Sequence, residues 1–242
     1  MTSGSYLSRR AASSSVASVV GVCAVALLVF APAPEAQGNS ALEFNGTSQF
    51  GAAPVIPHVE NLWMDLWANW SGPTGSGGQT IMYNGHSGCT GWGIFVADSG
   101  HLGVLVGGID FAMSAAQLAA GAWHQVRAAR VDQTFSIELD GVEYPLSANP
   151  TPRPIAGCFN PAVHEALIVG VGSGVFDSPG SSPGDAYNGV VDSVRVNGIG
   201  KPPKAGLAFW KLDEGNGSIA SDIHGLTLTL HNGPFWVAGH GR

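Results

Sequence analysis

The sequence predicts an all-β chain, an antiparallel two-sheet sandwich preceded by an N-terminal signal helix. Three observations predict it. The 242 residues include 35 glycines and 15 prolines, too many breakers for a helical bundle. Hydrophobic residues make up 45% and charged residues only 11%, which excludes a coiled coil and wholesale disorder. Beyond residue 40, apolar and polar residues alternate, with turn signals about every 8–12 residues, the pattern of a sandwich. A formal net charge of −7 excludes duplex nucleic acid as a partner, because phosphate binding needs clustered Lys and Arg.

The first segment, 1–36, reads as an address. Arg9 and Arg10 precede an apolar run over 16–30, and Ala31-Pro32-Ala33-Pro34-Glu35-Ala36 follows. A positive start, an apolar core and small residues after it describe a secretory signal peptide. The run is shorter than the roughly 20 residues of a spanning helix, so an uncleaved membrane anchor is the lesser reading. A membrane partner follows only in that case. The expected location is secreted or at the cell surface. Two cysteines then remain, Cys89 and Cys158. In an exported chain their default is a disulfide, with two free buried thiols as the rival.

The strands come next. Candidates lie at 41–44, 62–70, 80–83, 92–97, 102–106, 123–131, 134–139, 142–145, 166–171, 190–196, 207–212 and 226–230. Asp140-Gly141 sits between two of them and is a strong two-residue hairpin signal. The stretch 113–120 is helix-like but short, and reads equally as a strand and a loop. In 62–70, period 2 puts Trp63 and Trp67 on one face and Met64, Leu66 and Ala68 on the other. Trp123 and Trp210 fall within strand motifs and are expected in the core.

Four stretches, in order, resemble the laminin-G-like jelly roll of the concanavalin A-like lectin/glucanase superfamily. They are Ala41-Leu42-Glu43-Phe44-Asn45-Gly46-Thr47, Trp63-Met64-Asp65-Leu66-Trp67-Ala68, Gly121-Ala122-Trp123-His124-Gln125-Val126 with Ile137-Glu138-Leu139-Asp140-Gly141-Val142, and Gly189-Val190-Val191-Asp192-Ser193-Val194-Arg195-Val196. The resemblance implies a jelly roll over 40–198. A linker, 199–206, then leads to a C-terminal segment, 207–242. That segment carries Trp210-Lys211-Leu212-Asp213-Glu214-Gly215-Asn216-Gly217, which in the family precedes the first motif. It either completes the sandwich or is a truncated second repeat. Thirty-six residues cannot bury a core alone, which favours completion.

The resemblance also implies sugar or metal chemistry. Sugars need a flat aromatic face with amides or carboxylates beside it. Trp92, at a loop-to-strand junction with Asn84 and His86 nearby, is the candidate platform. Calcium takes oxygen ligands, and the resemblance points to Asp192, Asp213 and Asp222 at a loop rim. Side-chain capping of turns is the competing role for each. Glu138-x-Asp140-x-x-Glu143 has the spacing of the catalytic strand of laminarinase-type glucanases, where paired carboxylates cleave glycosidic bonds. The turn at Asp140-Gly141 instead puts these carboxylates on a hairpin tip. His124 reads as structural.

The function these features imply is an exported, non-catalytic module that binds glycans or cell-surface polysaccharide. A glycan hydrolase or lyase of the same superfamily is the alternative, and a structural envelope protein a third.

Overall fold

In the computed structural model the described residues are 38–55, 61–85, 91–107, 110–132, 134–148, 166–171, 185–199 and 206–241. Cys89, Cys158, His86 and the segment 1–36 lie outside them. Among the described residues there is no α-helix, and no helix long and apolar enough to cross a membrane.

Two antiparallel sheets form the sandwich. The first has the order β10(Val142–Tyr144), β9(Thr134–Leu139), β8(Trp123–Val131), β3(Leu62–Trp70), β13(Asn188–Gly198), β1(Ser40–Asn45), β17(Phe235–Ala238). A further strand, β14(Gly206–Trp210), also pairs with β13. A bulge at Asp192–Arg195 divides β13. The half before it pairs with β1 and the half after it with β14. The second sheet has the order β11(Leu146–Ala148), β7(Asp110–Gln117), β6(His101–Val106), β5(Trp92–Ala97), β4(Gly78–Asn84), β12(Ala166–Val169), β2(Phe50–Val55), β16(Thr227–His231), β15(Ile219–Ser221).

Strand periodicity makes the core. Leu62, Met64, Leu66 and Ala68 of β3 are fully buried, as are Ile94 and Val96 of β5 and Leu102 and Val104 of β6. These inner faces form one continuous apolar cluster between the sheets. Removing each of the Leu, Met, Ile and Val side chains from water contributes about 1.5–3 kcal/mol.

The C-terminal residues are woven into both layers. β14 and β17 extend the first sheet, and β16 pairs with β2 of the second. Trp210 is fully buried, and its indole N–H donates to the Leu226 carbonyl at 3.1 Å.

The stretch at 113–120 resolves as the end of strand β7 and a turn. Good helix formers there are overruled by pairing with β6. The Asp140-Gly141 hairpin forms as expected, with Val142 opposite Leu139. Both turn residues have positive φ, 50° and 80°, which is what a tight mirror-image turn requires.

Candidate functional site

Trp92, expected from the sequence to be an exposed sugar platform, is a core residue. Trp92 is fully buried and packs edge-on against Phe135, with ring centroids 5.2 Å apart. It has the parity of Ile94 and Val96, so it points between the sheets and offers no face to a sugar. Asn84, its cross-strand partner, is also fully buried.

The three aspartates do not assemble a metal site. Among the described residues no group of three or more His, Cys, Asp or Glu could hold a metal ion. Asp222 is a turn cap: Oδ1 accepts from the His224 and Leu226 amides at 2.9 and 2.5 Å, and Oδ2 from the Phe209 amide at 3.4 Å. Asp192, buried at the β13 bulge, accepts from the Ser193 hydroxyl and from the His240 amide at 3.0 Å. Asp213 is half-buried and lines a cleft of about 240 Å³ with Lys211, Glu214, Ser221, Asp222 and Ile223. Calcium does not fit these three residues as a set.

Two carboxylates of the Glu-x-Asp-x-x-Glu stretch, Asp140 and Glu138, are engaged by neighbouring side chains and backbone, and Glu143 is exposed. Asp140 Oδ1 accepts from the Gln125 amide at 2.8 Å, and Oδ2 lies 2.7 Å from His124 Nδ1. The other His124 nitrogen accepts from the Ala119 amide, so the ring carries its proton on Nδ1 and has a structural role. Glu138 faces Arg127 at 3.4 Å and is the register partner of Glu143 on the edge hairpin. Arg127 also binds the buried Asp65 at 3.0 Å and lies 4.8 Å above the Trp63 ring.

The outer face of the second sheet holds a groove that the sequence reading missed. It has a volume of about 330 Å³ and is lined by Phe95, Ala97, Phe111, Met113, Gly77, Gly78, Ser76 and Asp185. Its construction follows from register. Phe95 of β5 stands opposite Gly103 of β6, and Gly103 stands opposite Met113 of β7. A Cβ at 103 would meet the Met113 sulfur at 2.6 Å and the Ala112 carbonyl at 2.4 Å. With hydrogen there instead, the rings of Phe95 and Phe111 come to 5.9 Å across β6, inclined by 24°.

Gly78 sets the other wall. A Cβ there would lie 2.0 Å from the Phe95 ring, so the ring rests on bare backbone. The polar end is fixed. The Gly77 amide donates to Asp98 Oδ2 at 2.8 Å, and the Ser76 hydroxyl donates to the Gly78 carbonyl at 2.9 Å. A parallel bridge between Thr80 and Ala186 brings Asp185 beside β4. The result is two phenyl faces and a thioether with a carboxylate and a hydroxyl at one end. That matches a ligand with apolar ring faces and a hydroxylated rim.

The outer face of the first sheet carries tryptophans. Trp63, Trp67 and Trp123 are half-buried there, so Trp123 is not the core residue its motif predicted. It has the parity of Gln125 and Arg127, which point outward.

The fold class is that of the concanavalin A-like two-sheet jelly rolls. Residues 81–199 match the Laminin G domain family, and the two-sheet sandwich is similar in fold to its jelly rolls. In shape the chain is similar to a Bacteroides ovatus protein inferred to bind carbohydrate, with a TM-score of 0.58 and 16% identity over 84% of this chain. It spans 60% of that protein's length. It is also similar to the heptameric SAP-like pentraxin of Limulus polyphemus, with a TM-score of 0.54 and 13% identity over 84% of this chain and 97% of the other. Domains LG4-5 of the mouse laminin alpha1 chain give 0.46 and 16% identity, over 66% of this chain and 42% of the other. No curated protein matches the chain in sequence.

Proposed function

We propose that the chain is an exported, non-catalytic module that binds glycans, acting in recognition or adhesion at a cell surface. The groove on the second sheet is the observation that carries this reading. Its volume lies at the small end of the range for small-ligand sites, roughly 300–1,000 Å³. Its stacked phenyl rings and rigid polar end suit a sugar ring, whose C–H faces pack on aromatics while its hydroxyls seek oxygen partners. The leader at 1–36 supports export. The engagement of Asp140 with His124 and Gln125, and of Glu138 with Arg127, supports a binding role over a hydrolytic one.

Glycan-array screening followed by calorimetric titration of the best binder tests this. Phe95→Ala and Phe111→Ala are each expected to weaken binding by about tenfold, the loss of one ring's stacking. Binding that neither change affects would refute the groove. Hydrolysis of the bound glycan, abolished by Glu143→Gln, would overturn the non-catalytic role.

A further inference from the structure

The segment after β17 lies over the tryptophans of the first sheet. The His240 ring stacks on Trp67 with centroids 3.7 Å apart and an angle of 11°, and meets Trp123 edge-on at 5.7 Å. Its backbone is held by three polar contacts. The His240 amide donates to Asp192 Oδ2 at 3.0 Å, the Asn39 side-chain amide donates to the His240 carbonyl, and the Gly239 amide donates to the Asn39 carbonyl at 2.9 Å. The approach is close. A Cβ at Gly239 would lie 2.7 Å from the Ser40 carbonyl and 2.9 Å from Asp192 Oδ2.

The kinds of contact are informative. A flat ring lies on an indole, an N–H points into a carboxylate, and a carbonyl accepts from a carboxamide. A sugar ring needs the same three: a stacking face, an acceptor for its hydroxyls and an amide donor. Trp67 stands in register between Gln125 and Asp192, so its stacking face has polar neighbours on both sides. The strap proper is residues 239–241: β17 before it is paired with β1 and its Trp236 packs on the core, whereas Gly239 and His240 are half-buried, Gly241 is exposed, and none of the three belongs to the apolar cluster.

We infer that residues 239–241 act as a built-in pseudo-ligand over a second sugar site, formed by Trp67, Trp123, Asp192 and Asn39. Moving the strap aside opens that site. Asp192 as acceptor favours a neutral sugar over an acidic one, and equatorial pyranoses offer the flattest C–H faces. The site lies on the other sheet from the groove and does not depend on it.

The test uses the full chain and two strap variants, His240→Ala, which removes the stack, and Gly239→Ala, which sterically lifts the strap. Acrylamide quenching of tryptophan fluorescence reports access to the indoles. Calorimetric titration with cellotetraose and with N-acetylchitotetraose reports sugar binding. Both variants are expected to quench more steeply and to bind one of these sugars at least about fivefold tighter than the parent. Adding Trp67→Ala to His240→Ala should abolish the gain, and adding Phe95→Ala should leave it. If the parent shows no groove binding but the strap variants gain affinity, the second site stands alone. Steeper quenching with no gain for either sugar would overturn the inference. So would a fall in Tm of more than about 10 °C in both variants, which would make the strap part of the fold.

Discussion

Asp222→Ala removes one carboxylate that organises the turn between β15 and β16. Three backbone donors lose their acceptor: His224 and Leu226 at 2.9 and 2.5 Å, and Phe209 at 3.4 Å. Asp222 is only 7% exposed, so water replaces it incompletely. A hydrogen bond to a charged acceptor contributes about 1.5–3 kcal/mol, and the two short ones dominate. Partial hydration of the part-buried turn offsets some of the loss, giving a cost of about 3 kcal/mol. For a domain of this size that lowers Tm by roughly 6–12 °C. Asp222→Asn keeps one acceptor oxygen for His224 and Leu226 and loses mainly the long bond, so it should cost about 1 kcal/mol, or roughly 2–4 °C. Scanning calorimetry with and without chelator measures both. An Asn variant as damaging as Ala, with chelator reproducing the damage in the parent, would refute the capping role and restore a metal one.

Two other changes test the interior. Burial pushes the Tyr187 phenol far above its usual value of 10.0, so the folded state keeps it protonated. Above about pH 10 the unfolded chain releases that proton and the folded chain does not, so stability falls by up to about 1.4 kcal/mol per pH unit. Urea midpoints from pH 8 to 11 should show the fall, and Tyr187→Phe should flatten it. Arg127→Met leaves the buried Asp65 carboxylate without its cation and should cost about 3 kcal/mol, whereas the double change with Asp65→Asn should recover part of it.

Much of the fold is legible in the sequence because strand burial follows period 2 and turn chemistry is local. The spans 62–70, 92–97, 123–131 and 134–139 coincide with β3, β5, β8 and β9. What escaped reading has identifiable causes. β2 carries Pro54, tolerated because its pairing with β12 is irregular between Ala166 and Ile168. β15 and β17 are short edge strands whose pattern is too brief to stand out. The site was less legible. Trp92 sits beside a glycine-rich loop, whose turn chemistry masks its parity with Ile94 and Val96. The signal for the groove was present in Gly103, a glycine inside a strand, which marks a close approach. That Phe95 and Phe111 face each other across it depends on register, which single strands do not reveal.

Methyl NMR of the methionines in a glycan titration tests the central claim most directly. The chain has four, of which Met64 and Met82 are fully buried in the core and Met113 lines the groove. A saturable shift of the Met113 methyl, with Met64 and Met82 unmoved, is the predicted result. Saturable binding by calorimetry that leaves Met113 unmoved would contradict the groove as the recognition surface.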